Sequence, residues 1–217
     1  MGTLKIAKKG ITLSEQAYEI IKDAIIKNQF KSGEILAEQP LAEKLNISRT
    51  PIKAALNRLV YENIAEVNAT NNIVVSNITE DEVKDITDIR KLLECFSVKL
   101  LENKMTKEKL KELKTLIIQH EKAINKGNIE DVLECDFCFH IKLAELTDNK
   151  FLFSTVEAAN TNIKRFLILS GTLEKYCTLA IDEHKTVYEA LEKENYEEAA
   201  HALELHLINV NKRMLKR

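Results

Sequence analysis

Glycine and proline are scarce in this sequence, with 5 and 2 residues in a chain of 217, and tryptophan is absent. A fold built from many short strands needs a turn after almost every strand, so this shortage excludes a large all-β architecture. No apolar run approaches the roughly 20 residues that a membrane-spanning helix needs. The N-terminal segment MGTLKIAKKGITL is basic but lacks an apolar core, so it predicts no secretory signal. These absences favour a cytoplasmic helical protein without a membrane partner.

The cysteines lack any spacing typical of a disulfide framework, which favours reduced thiols in the cytoplasm. They are Cys95, Cys135, Cys138 and Cys177. Cys135 and Cys138 form a C-x-x-C pair, but no second C-x-x-C follows to complete a zinc site. A redox pair would stand at a loop or a helix start, where a thiolate is stabilised. This pair falls inside a predicted helix, so we interpret both residues as buried, unreactive thiols.

Neither sign of charge dominates the chain, whose formal net charge is −2 at pH 7. The charges are nevertheless unevenly distributed. Residues 1–77 carry 10 Lys/Arg against 8 Asp/Glu, whereas residues 78–217 carry 22 against 26. The slightly positive first part is therefore the better candidate for a DNA-facing surface.

The stretch LAEKLNISRTPIKAALNRLV, residues 41–60, predicts a short helix, a tight turn and a second helix. Ser48 stands at the N-cap of the second helix, where its hydroxyl can accept a hydrogen bond from the first turn. Pro51 fits that turn because its missing N–H removes no helical hydrogen bond. Apolar residues then recur with the spacing of one buried helical stripe, at Ile52, Ala55, Leu56 and Leu59.

Polar residues of the second helix point away from that stripe. Arg49, Thr50, Lys53 and Asn57 supply donors of the kind that reach phosphates and base edges. A DNA-binding helix-turn-helix lays the N-terminal end of its second helix in the major groove, which is where Arg49 and Thr50 lie. The pattern alone leaves open an ordinary helical hairpin with a solvated polar face.

Flanking signals extend this motif to a winged helix. Thr12 and Glu15 form a capping-box pair that opens a first helix ending near Asn28. The short apolar runs 64–67 and 73–75 flank an Asn-rich tip, which predicts a β-hairpin. A second capping box, Thr79-x-x-Glu82, begins a new segment. We therefore place a domain boundary between residues 77 and 78.

The second part of the chain, residues 78–217, has helical spacing only. The predicted helices lie at about 79–103, 106–126, 128–147, 149–170, 173–194 and 196–216. Short polar breaks separate them, as expected for an antiparallel bundle of six to seven helices. The predicted fold is therefore mostly α, with an N-terminal winged helix-turn-helix in residues 1–77 followed by the bundle.

A candidate metal site lies in this second part. Asp136 and His140 stand four residues apart, so on a helix both lie on one face, and neighbouring apolar residues turn that face towards the interior. His184 lies in the fifth helix of the bundle and His206 in the sixth. One carboxylate and three imidazoles from three helices can converge on a divalent ion such as Zn²⁺, Ni²⁺ or Mn²⁺. The residues alone leave open that these are ordinary core or surface histidines.

Other charged residues of the bundle have weaker signals. His201 lies roughly 140° around the helix from His206, and His120 has no partner in sequence, so we interpret both as solvent-facing. Arg90 and Arg165 stand alone in apolar helical segments. Either arginine can hold a ligand carboxylate by a two-pronged contact, and a surface or interhelical salt bridge remains the alternative.

Two stretches of the chain match one protein family. SRTPIKAALNRLVYENIAEV resembles the DNA-binding signature of GntR-type bacterial transcription regulators, which runs roughly SRTPVREALRRLEAEGLV. EHKTVYEALEKENYEEA is similar to EHRAILEAIRAGDAEAA of the FCD ligand-sensing domain found in the FadR branch. In that domain an Asp-x3-His pair is followed by two more histidines on the last two helices. The resemblance spans about residues 12–216, and the four candidate metal ligands fall at the family positions.

The resemblance implies a role for each matching residue. Ser48, Arg49, Thr50 and Lys53 correspond to operator contacts, and Gln39 matches a position where relatives often carry Arg. Lys53 replaces the usual Arg and so loses its two-pronged contact to guanine. Family members are homodimers that bind a palindromic double-stranded operator. Many bind a metal ion in the helical domain, with a small carboxylate metabolite beside it.

We therefore expect a metabolite-responsive transcription regulator and not an enzyme. A divalent transition metal (Zn, Ni or Mn), an organic-acid effector, operator DNA and a second copy of the chain are the expected partners. One alternative keeps the DNA role with a metal-free pocket for a fatty-acyl chain or an organic acid. Another is a metal-dependent enzyme, because three histidines and a carboxylate can leave coordination positions open, although no HExxH motif or general base is evident. A third is a pure protein-interaction module.

Overall fold

The computed structural model describes residues 10–215. The first nine residues, which belong to the segment with no predicted secretory signal, lie outside the described range, as does the end of the predicted last helix. The chain divides between Asn77 and Ile78 into two compact units. Within the described range the fold is mostly helical, which confirms the predicted class, and no helix there is long and apolar enough to cross a membrane.

The first unit is a winged helix-turn-helix, as predicted. Its helices are α1 (Leu13–Ile26), α2 (Glu38–Leu45) and α3 (Arg49–Tyr61), followed by strands β1 (Ala65–Val67) and β2 (Ile73–Val75). The strands pair antiparallel, and Ile35 adds a bridge to the outer side of β2. The predicted stripe of α3 is buried against α1. This packing leaves the opposite, polar face of α3 exposed.

Ser48 occupies the N-cap of α3, but the prediction that its hydroxyl accepts a hydrogen bond from the first turn is wrong. Within residues 10–215 its hydroxyl makes no capping hydrogen bond. The reason lies three positions on, because Pro51 has no N–H to donate to a cap. Helix α2 repeats this arrangement, with Ala37 at the N-cap and Pro40 at the third helical position. The Ser48 hydroxyl is thus not used to hold its own helix.

The two predicted capping boxes differ in outcome. Thr79 and Glu82 form both reciprocal bonds at the start of the second unit. The Thr12 hydroxyl accepts from the backbone N–H of Glu15 at 3.2 Å, but the Glu15 carboxylate binds Arg58 instead, at 2.9 Å. The box at Thr12 is therefore half formed, because an arginine from α3 takes the carboxylate that would complete it.

The turn after α3 depends on Asn63, whose φ is +58°. We expect Asn63→Ala to lower the free energy of unfolding by about 1 kcal/mol, because alanine lacks the tolerance of asparagine for the left-handed region. Asn63→Gly, which accepts this backbone freely, is the matched control and keeps the wild-type stability. Urea denaturation followed by circular dichroism measures both. Equal stability of the two variants would contradict this explanation of the turn.

The second unit is a bundle of long helices whose bounds lie within a few residues of those predicted. Its helices are α4 (Glu80–Leu100), α5 (Lys107–Lys126), α6 (Ile129–Glu145), α7 (Lys150–Ser170), α8 (Thr172–Glu192) and α9 (Tyr196–Leu215). Helix α4 packs against α7 and α9, and α6 packs between α5 and α7 and also contacts α8. Helices α6, α8 and α9 therefore all present side chains to the interior of the bundle.

Candidate metal centre and nucleic-acid interface

Four side chains predicted from the sequence come together inside the bundle. Asp136 and His140 lie on the buried face of α6, His184 comes from α8 and His206 from α9. One ligand atom from each lies within 4.8 Å of the ligand atoms of the other three, and all four residues are buried. The helical spacing of Asp136 and His140 places both on one face of α6. The packing of α8 against α9 and against α6 brings His184 and His206 to the same point.

The spacing of the donor atoms suits a single ion. Nε2 of His206 lies 3.2 Å from Nε2 of His140 and 3.2 Å from Nε2 of His184. The Asp136 carboxylate lies 3.7 Å from Nε2 of His184. Two nitrogens bound to one ion at about 2.0–2.1 Å stand roughly 3.0–3.4 Å apart. His206 thus stands at the separation of ligands that share one metal from each of the other two imidazoles.

Two carboxylates contact the ring nitrogens of these imidazoles that point away from the centre of the cluster. Glu94 of α4 lies 2.7 Å from Nδ1 of His140, and Glu183 of α8 lies 2.8 Å from Nδ1 of His206. Burial raises the pKa of Glu94, but the charge of Arg90 and the contact with His140 outweigh it and hold that pKa well below its usual range. Burial also opposes the hydrogen bonds from His206 and Arg213, which together lower the pKa of Glu183 to about 2.

Ionised carboxylates determine the tautomers of the two rings. A carboxylate can only accept hydrogen bonds, so Nδ1 of His140 and Nδ1 of His206 each carry the proton. In the neutral rings Nε2 of each then presents a lone pair to the other, across 3.2 Å. Carboxylate–histidine pairs of this kind orient imidazoles that bind metal ions.

A cation between these nitrogens would stabilise the facing lone pairs, and burial disfavours a proton on His184 and on His206. Burial, followed by the neighbouring histidines, lowers the pKa of His184 well below its usual value, and burial also lowers the pKa of His206. Neutral imidazoles and one carboxylate are ligands typical of Zn²⁺, Ni²⁺ and Mn²⁺. The residues present therefore fit a divalent transition metal ion.

Sequence reasoning missed Glu94 and Glu183. Glu94 also accepts from Arg90 at 2.6 Å and from Asn160 at 2.8 Å, so these three residues and His140 form one buried polar network. Glu183 also accepts from Arg213 at 2.6 Å. The Arg90-x3-Glu94 spacing gives a detectable helical ion pair, but nothing in the sequence links either carboxylate to its histidine.

The two candidate effector-binding arginines both lie in the interior. Arg90 donates from Nε to Glu94 on its own helix, so it does form an ion pair, as the alternative predicted, but this pair is buried within one helix instead of lying at the surface or between helices. Arg165 of α7 is also buried, and burial lowers its pKa against the opposing effect of Glu82. The structure thus places two buried guanidinium groups in the same bundle as the histidine cluster.

The remaining histidines and cysteines divide between correct and wrong predictions. His201 is exposed, as predicted, whereas the solvent-facing position predicted for His120 is wrong. His120 continues the buried stripe of Leu113 and Ile117 on α5, and a stripe of this kind turns inward whatever residue occupies it. The four cysteines are free and half-buried, so the full burial predicted for Cys135 and Cys138 is wrong. Their partial burial still raises the pKa of Cys138 to about 11, as in an unreactive thiol.

The predicted DNA-contacting residues share one exposed surface of the first unit. Gln39, Ser48, Thr50 and Lys53 are all exposed there. Arg49, whose side chain is 63% exposed, pairs with Glu38 at 3.0 Å, and Gln39 donates to Glu43. A surface concavity runs from Lys53 and Asn57 of α3 to the Asn-rich tip of the wing. The recognition helix and the wing therefore line one continuous concave surface.

A winged helix with an exposed polar recognition helix, followed by a separate bundle with a buried polar centre, is the architecture of a transcription regulator with a sensing domain. The family model of bacterial regulatory proteins, gntR family, matches residues 13–75, and that of the FCD domain matches residues 85–209. The chain therefore belongs to the GntR family of bacterial transcription regulators, and its helical half is an FCD domain. Regulators of this family are not enzymes, and they bind operator DNA.

Individual relatives agree with this assignment. An uncharacterized HTH-type transcriptional regulator of Bacillus subtilis, YdhC, is 29% identical over 185 residues, which are 85% of this chain and 83% of the relative. The HTH-type transcriptional repressor RspR of Escherichia coli is 22% identical over 199 residues, or 92% and 87% of the two chains. The solved structure of E. coli McbR/YncC superposes with a TM-score of 0.81 at 23% identity, covering 92% of this chain and 95% of that one. This structural likeness shows the fold alone.

Proposed function

We propose that the chain is a cytoplasmic, metabolite-responsive regulator that binds a palindromic operator as a homodimer. In this proposal Asp136, His140, His184 and His206 hold a divalent transition metal ion, which helps to bind a small carboxylate effector. The observation that carries the proposal is that the four donor atoms all lie within 4.8 Å of one another inside the FCD domain. The first unit supplies the DNA contacts and the second the ligand response.

Homodimerisation has support from an apolar strip on α4. Ile89, Leu92 and Phe96 share one face of the helix and are 48%, 69% and 50% exposed. Contiguous exposed apolar side chains are typical of a protein interface. A second copy of the chain that covers such a strip would bring two recognition helices together, as a palindromic operator requires.

The DNA contact begins at the N-terminal end of α3. The Ser48 hydroxyl is not used for capping, and so it can donate to a phosphate. Arg49 reaches a base edge or a phosphate once it leaves Glu38. That exchange costs little, because an ion pair this exposed contributes only about 0–1 kcal/mol. Thr50, Lys53 and Gln39 extend the contact along the groove.

We expect Arg49→Ala to weaken specific operator binding by roughly 10–100-fold, because a good two-pronged contact to a base is worth about 1–3 kcal/mol. Fluorescence anisotropy, with a duplex selected from a random pool by the wild-type protein, measures the affinity. Lys126→Ala, which removes one exposed charge from α5, is the control and leaves the affinity unchanged. An Arg49→Ala variant that binds as tightly as wild type would exclude Arg49 from the interface.

The effector site joins the metal to the buried arginines. A metal ion held by these four residues offers an open coordination position to a carboxylate oxygen. Arg90 uses Nε for Glu94, so its terminal nitrogens can donate to the second oxygen of an organic acid. Arg165 is the second candidate for that contact. This arrangement selects a small anion by charge and by geometry.

The regulatory step is a shift between two arrangements of the dimer. An effector alters operator affinity only if it binds one arrangement more tightly than the other. Because Glu94 links α4 to α6, and Glu183 links α8 to α9, a ligand at the centre acts on four helices at once. We therefore expect ligand binding and DNA binding to be coupled through the bundle.

Operator affinity, measured with acetate, malate and citrate as probes, tests this function directly. We expect at least one of these acids to change the affinity in protein loaded with Zn²⁺ or Ni²⁺, and to have no effect after chelation. An acid that binds and acts equally well after chelation would favour the metal-free pocket. If the protein converted one of these acids into a product, the proposal that it is a regulator without enzymatic activity would be wrong.

A further inference from the structure

His120 is a buried imidazole that the proposed metal site does not use. It lies on α5 and is 1% exposed. Among the described residues, neither of its ring nitrogens has a hydrogen-bond partner. The stripe that it occupies is otherwise apolar, with Leu113, Ile117 and Ala123. A buried polar group without a hydrogen-bond partner lowers the free energy of unfolding. A leucine at this position would therefore give a more stable fold than the histidine does.

His184 has the complementary feature. Its Nε2 faces the cluster, but its Nδ1 is buried and has no partner within the described part of the chain. The other two imidazoles of the cluster differ in this respect, because Glu94 and Glu183 accept from their Nδ1 atoms. His184 is thus the one histidine of the three whose outer side lacks a carboxylate.

The two unpartnered groups are neighbours. The ring centroids of His120 and His184 lie 5.7 Å apart, with the planes tilted by 54°. Phe139 stacks on His184 at a centroid distance of 4.1 Å and an interplanar angle of 17°, so an apolar ring covers one face of this imidazole. His120 therefore offers ring nitrogens at short range from a histidine that needs a polar partner.

We propose that His120 is the outer hydrogen-bond partner of His184 and positions this imidazole for metal binding. A ring nitrogen of His120 accepts from Nδ1–H of His184, either directly after a small rotation of the ring or through one oxygen atom of solvent. This contact fixes the tautomer in which the Nε2 lone pair faces the ion, as Glu94 and Glu183 do for the other two imidazoles. The inference rests on the proposed metal site and adds a positioning residue to it.

A neutral partner has a different consequence from a carboxylate. Carboxylate partners raise the basicity of His140 and His206 as metal ligands. A neutral imidazole that accepts from Nδ1–H of His184 raises its basicity less, so His184 binds the ion more weakly than the other two histidines. His184 therefore becomes the most easily displaced of the three imidazole ligands.

Metal affinity of the full-length chain, without any added acid, tests this role. Competition with a chromophoric chelator gives the Zn²⁺ affinity of wild type, His120→Leu and His120→Gln. We expect His120→Leu to bind about 10–100-fold more weakly, which is the usual effect of losing an outer partner. His120→Gln retains a hydrogen-bonding group and binds within a few-fold of wild type. His201→Leu, which removes an exposed histidine from α9, is the matched control and binds as wild type does.

Cobalt(II) gives a second readout that a mere packing role would not change. We expect the d–d absorption bands of the Co²⁺-loaded protein to shift in His120→Leu while the stoichiometry is unchanged. Equal Zn²⁺ affinity and identical Co²⁺ spectra for wild type and His120→Leu would overturn the role of His120 and leave the metal site intact. A wild-type chain that binds neither ion would overturn the metal site itself, and the proposal for His120 with it.

Discussion

Glu94→Ala is expected to lower the free energy of unfolding by about 3–5 kcal/mol, because it leaves the buried guanidinium of Arg90 without its counter-charge. The variant also removes the acceptor for Nδ1 of His140 and for Asn160. Urea denaturation of the full chain, followed by circular dichroism, measures the loss.

An exposed ion pair provides the control for Glu94. Glu197, with a side chain that is 79% exposed, pairs with Lys99 at 2.8 Å. Its removal should cost no more than about 1 kcal/mol, because water solvates both charges. If Glu94→Ala were no more destabilising than Glu197→Ala, the buried network around His140 would have no structural importance.

If the proposed site holds a metal ion, its removal is expected to produce the second large effect, a drop in thermal stability. An ion present at about 1,000 times its dissociation constant stabilises the native state by about 4 kcal/mol. For a protein of this size that free energy corresponds to a midpoint change of roughly 8–16 °C. Differential scanning calorimetry of Zn²⁺-loaded protein, before and after chelation, measures the change.

His206→Ala separates a specific site from unspecific effects of the chelator. We expect this variant to melt at the same temperature with and without Zn²⁺, because the cluster then lacks one of its four donors. A similar midpoint change in wild type and variant would mean that the ion acts elsewhere on the protein.

Much of the fold follows from local patterns in the sequence. The stripe of Ile52, Ala55, Leu56 and Leu59 predicts which face of α3 is buried, and the capping box at Thr79 predicts where the second unit begins. These features depend on residues within one or two helical turns of each other. The prediction that the Ser48 hydroxyl accepts a capping hydrogen bond was wrong for a local reason as well, since Pro51 lacks the N–H that would donate it.

The candidate metal site depends on contacts between helices, and sequence patterns describe those poorly. Asp136 and His140 share a helix face by their spacing. No local pattern pairs them with His184 and His206, and the family resemblance was needed to strengthen that grouping. Nothing local marks Glu94 or Glu183 as a partner of a histidine 46 or 23 residues away. His120 was misassigned for a different reason, because the local stripe of Leu113 and Ile117 already predicts that its position is buried.

The metal content of untagged protein, by elemental analysis of wild type and His206→Ala, tests the central claim most directly. The account predicts about one equivalent of a divalent transition metal per wild-type chain, retained through dialysis because structural affinities for such ions are high. It predicts that His206→Ala holds almost none. Wild-type protein that remains free of metal after incubation with Zn²⁺, Ni²⁺ and Mn²⁺ would contradict the account, as would a full equivalent in the variant.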